Sequence, residues 1–232
     1  MMRFRYSVRI LVLLTVIVAA ICYHFEQWRR RRFAEEQLCA IATPFDPDVN
    51  GYSKDPLFVQ DHNCDPLRGL LVRCEFSDVE KHLVDAIFLE ELILEGSNID
   101  ASRLSKVVAT LPNLRKMEIT ECEIASTETI SLRSATLASF VVSGSKFHGK
   151  KRILFDFPNL VSLHIADSNL ESLNQFYLCK AIQELYVAAS PGVMLTDADR
   201  AHLPELRRYV CNGVSHLEND SIEIRDVRSP KR

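Results

Sequence analysis

The sequence predicts an α/β solenoid: parallel strands stacked along a concave side, helices or irregular turns on the convex side, and an N-terminal transmembrane helix ahead of them. Three observations predict it. A strand-like motif recurs at nearly constant spacing. Helix-compatible stretches lie between several copies. An uncharged apolar run sits near the N-terminus between clusters of arginine.

The recurring motif starts at Leu67, Leu89, Leu114, Leu137, Leu160, Ile182 and Leu206, at intervals of 22, 25, 23, 23, 22 and 24 residues. Counting each first residue as place one, apolar residues recur at places one, four and six. Places four and six are two apart, so they share one face of a strand, and that face is expected in the core. Places three, five and seven point the other way. A single such strand cannot bury its face alone, whereas stacked copies make a continuous core. The expected core pairs are Leu92 and Leu94, Met117 and Ile119, Phe140 and Val142, Leu163 and Ile165, Leu185 and Val187. Place nine is small or polar in the middle five copies, as Ser97, Cys122, Ser145, Ser168 and Ser190. Such side chains can bond backbone groups where the chain turns.

Between the motifs, Ser77-Asp78-Val79-Glu80 has the form of a capping box, and Val79, Leu83 and Ile87 follow at helical spacing. Leu104, Val107, Val108 and Leu111 fit one helical face, and Asp197–Leu203 is helix-compatible up to Pro204. The stretches after Ile124, Phe147 and Leu170 allow no assignment beyond a turn. Pro112, Pro158 and Pro204 end the convex elements and lead into the next strand.

The N-terminal run Ile10–Cys22 has no charge, with Arg3, Arg5 and Arg9 before it and Arg29, Arg30, Arg31 and Arg32 after it. Trp28 stands where an interfacial anchor would stand. The run is shorter than the ~20 residues of an ordinary span. The abrupt arginine stop favours a retained single-pass anchor. A cleaved signal peptide, ending near Val18-Ala19-Ala20, and a buried N-terminal helix are the competing readings. Arginines on both sides leave the orientation open.

LPNLRKMEI, FPNLVSLHI and LPELRRYV resemble segments of leucine-rich-repeat proteins, and VMLTDADRAHL is similar to the bacterial variant with a TDAGLAHL stretch. The arginine-flanked N-terminus is similar to that of bacterial membrane-anchored members. The resemblance implies a leucine-rich-repeat solenoid with parallel concave strands, and protein binding in general terms. Two departures stand out: place nine holds serine or cysteine instead of asparagine, and Asp199 replaces the glycine of the TDAG pattern. The segments from Leu67 and Leu206 fit least well, as terminal repeats do.

The expected organisation is a basic N-terminus at 1–9, an anchor at 10–28, and a juxtamembrane linker at 29–66. The repeat domain follows at 67–216 and a polar tail at 217–232. A chain beginning near Asp46 is expected to fold by itself. The net charge of −3 implies no general attraction to nucleic acid. Seven cysteines without a CxxC pair argue against a disulfide framework. Asp46, Asp48, Asn50 and Gly51 begin like a calcium loop, but its twelfth place is Leu57, not glutamate. His62, Cys64 and Cys74 lack the spacing of a zinc site. His148-Gly149-Lys150-Lys151-Arg152 is a basic turn. No nucleophile–base motif or phosphate loop is visible, so catalysis, a metal, a cofactor and a small-molecule substrate are not expected.

The expected partner-binding face is the outward side of the strands. Its candidates are Glu91, Lys116, Glu118, Val141, His164, Glu184 and Tyr186. The expected partners are a protein and, through the N-terminal helix, a lipid bilayer. A structural protein of the cell envelope is the second reading, and an enzyme with an unrecognised site the remote third.

Overall fold

The computed structural model describes residues 2–45, 67–149, 152–170, 172–190, 193, 195–212 and 214–217, without side chains for 2–11, 45 and 214–217. A long helix, α1 (Met2–Ile41), leads into β1 (Thr43–Phe45). Then come β2 (Gly69–Val72), α2 (Phe76–Leu83), β3 (Glu91–Glu95), β4 (Asn98–Asp100), α3 (Ala101–Thr110) and β5 (Lys116–Thr120). The chain continues through β6 (Glu123–Ala125), β7 (Ile130–Arg133), β8 (Ser139–Ser143), β9 (Lys146–His148), β10 (Ile153–Asp156) and β11 (Ser162–Ala166). A 3-10 turn (Leu173–Phe176), β12 (Glu184–Ala188), α4 (Asp197–His202), β13 (Arg208–Cys211) and β14 (Val214–Leu217) complete it.

Nine strands form one sheet in the order β1-β2-β3-β5-β8-β11-β12-β13-β14. From β2 to β13 neighbouring strands are parallel; β1 and β14 are antiparallel at the two edges. Two smaller parallel groups lie apart from it, β4-β6-β9 and β7-β10. Strands β3, β5, β8, β11 and β12 occupy places three to seven of their segments, and each buries places four and six. All ten expected core residues are buried.

The expected fold class needs correction. The structure is an α/β fold with a mixed sheet and a long N-terminal helix, not a leucine-rich-repeat solenoid behind a membrane span. The chain reverses at both ends of the sheet, so the edge strands run against the others. The side opposite the open face carries no repeating element: helix, paired short strands, a 3-10 turn and helix follow one another. Convex segments with different apolar spacing cannot adopt one common conformation.

The membrane expectation is also corrected. Among the described residues, no helix is long and apolar enough to cross a membrane. The reading of a single-pass cell-membrane protein rested on an arginine stop, and α1 uses those arginines differently. Glu26 pairs with Arg29 at 3.0 Å and Arg30 at 3.1 Å, and Arg32 pairs with Glu36 at 3.4 Å, all within the helix. Nor does the helix break after Trp28. It runs to Ile41, and Ala34, Glu35 and Leu38 are buried near its end. Arg31 lies 5.1 Å from the ring centroid of Phe88, and Phe33 meets His82 edge-on. The end of α1 therefore closes one end of the core.

The turns after β3, β5, β8, β11 and β12 are built the same way. Gly96, Glu121, Gly144, Asp167 and Ala189, all at place eight, have φ between 46° and 67°. In that left-handed conformation the backbone N–H points at the neighbouring strand's last carbonyl in the first four, and at Asn212 Oδ1, 3.0 Å away, from Ala189. Gly96 N–H donates to Thr120 O at 3.0 Å, Glu121 N–H to Ser143 O at 2.8 Å, and Gly144 N–H to Ala166 O at 2.9 Å. Place nine completes the turn. The Ser145 hydroxyl donates toward Ile119 O and accepts from Cys122 N–H, both at 3.1 Å. The Ser190 hydroxyl likewise accepts from Ser168 N–H. Cys122 Sγ lies 3.4 Å from Leu94 O, so the thiol stands in for a hydroxyl. Asparagines finish other turns. Asn113 donates to Ile87 O and Asn159 to Ala135 O. The Asn169 side chain accepts from Phe147 N–H and donates to Phe147 O, covering the outer edge of β9 as a strand would.

Helix caps depart from expectation at one end and exceed it at the other. Ser77 does not cap α2; the N-cap is Glu75, with no side-chain bond. Asp100 caps α3, accepting from Ser102 N–H at 2.8 Å and Arg103 N–H at 3.1 Å. Thr196 and Asp199 form a capping box on α4. Asp199, at the glycine position of the resembled pattern, accepts from Thr196 N–H, the Thr196 hydroxyl and the Tyr177 hydroxyl. Burial alone would raise its carboxyl pKa; the bonds from Thr196 and Tyr177 and the nearby His202 outweigh it and hold the pKa below its ordinary value. A depressed carboxylate stabilises the fold above its unfolded pKa, and that stability is lost as pH falls through the folded value. Asp199→Asn should therefore lower stability by about 1–2 kcal/mol at neutral pH. The gap to the parent chain should close below about pH 4. Equal gaps at neutral and acidic pH in paired denaturation curves would rule out the charged cap.

Candidate binding face

Alternation in the strands exposes one side of the nine-stranded sheet. Its middle row is set by register. Leu71, Ile93, Glu118, Val141, His164, Tyr186 and Val210 pair in turn along the parallel strands. Six strand spacings make this row roughly 29 Å long. Five of its seven members are apolar or aromatic, with Glu118 and His164 the polar exceptions.

Charged side chains flank the row. Lys116 Nζ meets Glu91 Oε2 at 3.2 Å, and Arg73 Nε meets Glu95 Oε2 at 3.1 Å. At the other end, the Arg208 guanidinium lies 5.2 Å from the centroid of the Tyr186 ring and 4.0 Å from Glu184. The His164 ring meets Tyr186 edge-on, with centroids 4.8 Å apart. Partial burial lowers the His164 pKa, against the opposing pull of Glu118. A neutral imidazole beside an aromatic ring suits an apolar contact. Next to Val141 stand the small residues Ser139 and Ser143, so the centre of the face is shallow.

The structure places all seven sequence-named residues on this one side: Glu91 on β3, Lys116 and Glu118 on β5, Val141 on β8, His164 on β11, Glu184 and Tyr186 on β12. Leu71, Val210 and the clamp of Arg208 on Tyr186 were not among them. Leu71 and Val210 sit in the poorest copies of the motif, although counting places from Leu67 and Leu206 puts both at place five.

The other chemistry sought in the sequence falls elsewhere. The residues from Asp46 to Gly51, together with His62 and Cys64, lie outside the described residues. The Cys74 carbonyl accepts from the Ser97 hydroxyl. Among the described residues, no group of His, Cys, Asp and Glu is placed to hold a metal ion. Cys179 is buried, its Sγ directed at Phe155 O, and burial pushes its pKa up to about 12, so the thiol is inert at neutral pH. Of the basic stretch, Lys150 and Lys151 lie outside the described residues; Gly149 has φ of 135°, and a Cβ there would lie 2.1 Å from Ser126 O. That position belongs to glycine for packing reasons. No protein-family model, curated protein or solved structure matches the chain.

Proposed function

We propose that this chain binds a protein partner across the open face of its nine-stranded sheet, and that binding rather than catalysis is its task. The middle row carries the proposal. It sets aliphatic and aromatic side chains in register over roughly 29 Å, held by a rigid sheet, with charged residues on either side. That is the anatomy of an interface with an apolar centre and a polar rim. Tyr186 is its best anchor, since tyrosine and arginine dominate binding energy where they cluster.

The test is position-specific photo-crosslinking in the cells that make the protein. A benzoylphenylalanine at Val141 should trap one heterologous protein, while the same group at Lys106, on the opposite side, should not. Tyr186→Ala and His164→Ala should then reduce capture without moving the melting temperature. Equal capture from position 106, or loss of capture on Arg103→Ala instead, would place the interface on the other side. Adducts only between copies of this chain would favour the structural reading.

A further inference from the structure

The geometry points to the chemistry of that partner, and this inference rests on the protein-binding reading. We infer that the bound segment carries an acidic side chain at one end and a basic side chain at the other, with apolar or aromatic residues between. Arg208 and Glu118 set the ends. They stand four strand spacings apart, roughly 19 Å. That is about six residues of extended chain or about three and a half turns of helix.

Toward the β2 edge of the face the charges satisfy one another. Lys116 meets Glu91 at 3.2 Å, and Arg73 meets Glu95 at 3.1 Å. The β13 end is different. The Arg208 guanidinium lies over the Tyr186 ring at 5.2 Å, and its approach to Glu184, 4.0 Å, is beyond hydrogen-bond reach. A guanidinium laid on a ring keeps its in-plane fork of N–H donors for another acceptor, and a carboxylate matches that fork. His164 holds Tyr186 from the other side, so the anchor is ordered before the partner arrives.

At the far end, Glu118 is the one acidic member of the middle row. Its carboxylate accepts from the Thr120 hydroxyl at 3.2 Å and faces Val141 across the strand pair. A lysine or arginine reaching it would lay its aliphatic stem along Val141. Lys116, Arg73 and Arg208 are matched by Glu91, Glu95 and Glu184, and Glu118 adds a negative charge, so the face offers a polyanion no excess of positive charge.

The experiment uses the full chain and a displayed library of random linear peptides as the probe. Peptides that crosslink at position 141 should carry Asp or Glu on the Arg208 side, Lys or Arg on the Glu118 side, and apolar residues between. Arg208→Glu and the milder Arg208→Gln should each weaken a selected peptide about tenfold or more. Replacing that peptide's acid by lysine should restore binding to Arg208→Glu alone. Glu118→Lys should show the mirror pattern. Peptides that crosslink at position 141 but ignore both charge changes would overturn this inference and leave the protein-binding proposal standing. Binders that crosslink only at position 106 would overturn both.

Discussion

A chain beginning at Asp46 should melt well below one beginning at Arg30. The apolar content of the N-terminus points to a removable anchor, with the folded part starting after it. The packing says otherwise. Leu38 is wholly buried in the main core, Ala34 is 2% exposed, and the pairing of Thr43 with Leu71 places β1 on the edge of β2. Cutting at Asp46 removes all three and uncovers the first layer of the core, including Leu70, Phe76 and Val79. Deleting one buried leucine side chain costs about 2–5 kcal/mol. Losing the helix end and the edge strand as well should cost more, enough to unfold a domain of ordinary stability. Leu38→Ala in the longer chain isolates the leucine. Identical melting temperatures for the chains starting at Arg30 and Asp46 would show that α1 is not part of the folded unit.

Phe155→Ala should be the most damaging single substitution in the middle of the molecule, at about 3–5 kcal/mol. Phe155 stacks on Phe176 with centroids 4.4 Å apart and planes 6° apart. It also meets Phe140 at 5.3 Å and Phe157 at 5.9 Å. All four rings are fully buried. They tie β10 and the 3-10 turn to the large sheet through Phe140 on β8. Losing one ring leaves a cavity that its neighbours, held by their own backbones, cannot collapse to fill. Leu163→Ala, on the sheet itself, should fall in the lower part of the leucine range, about 2–5 kcal/mol, because smaller volume is lost. Urea denaturation with an unchanged slope would read these differences as stability. A loss under about 1 kcal/mol for Phe155→Ala would mean that the cluster does not bind the layers together.

The strands of the main sheet and their buried places were legible because a two-residue period leaves one answer. A slip by one residue would send Leu92, Leu94 and their counterparts into water. The seven candidate residues of the open face follow from the same count, since what alternates with a buried residue lies on the other side of the sheet. The turns were partly legible: serine at place nine announced side-chain bonds to the backbone. The left-handed residue one place earlier carries no residue code, being Gly96, Glu121, Asp167 or Ala189. There the acceptor on the next turn of chain selects the conformation: a strand carbonyl for Gly96, Glu121 and Asp167, and the Asn212 side chain for Ala189.

Four features belong to the tertiary structure alone. The end of α1 reads as charged and linker-like, yet docking turns Ala34 and Leu38 inward. Phe155 becomes a core residue only when β10 pairs with β7 and stacks on the 3-10 turn. The antiparallel edges depend on where the chain reverses, which no local periodicity records. Arg208 meets Tyr186 across strands whose residues are 22 positions apart in the chain, a contact created by register. Periodicity determines which face of a strand is buried, because that is a local property of the backbone. Which elements cover one another depends on contacts between distant residues, and these exist only once the layers are packed.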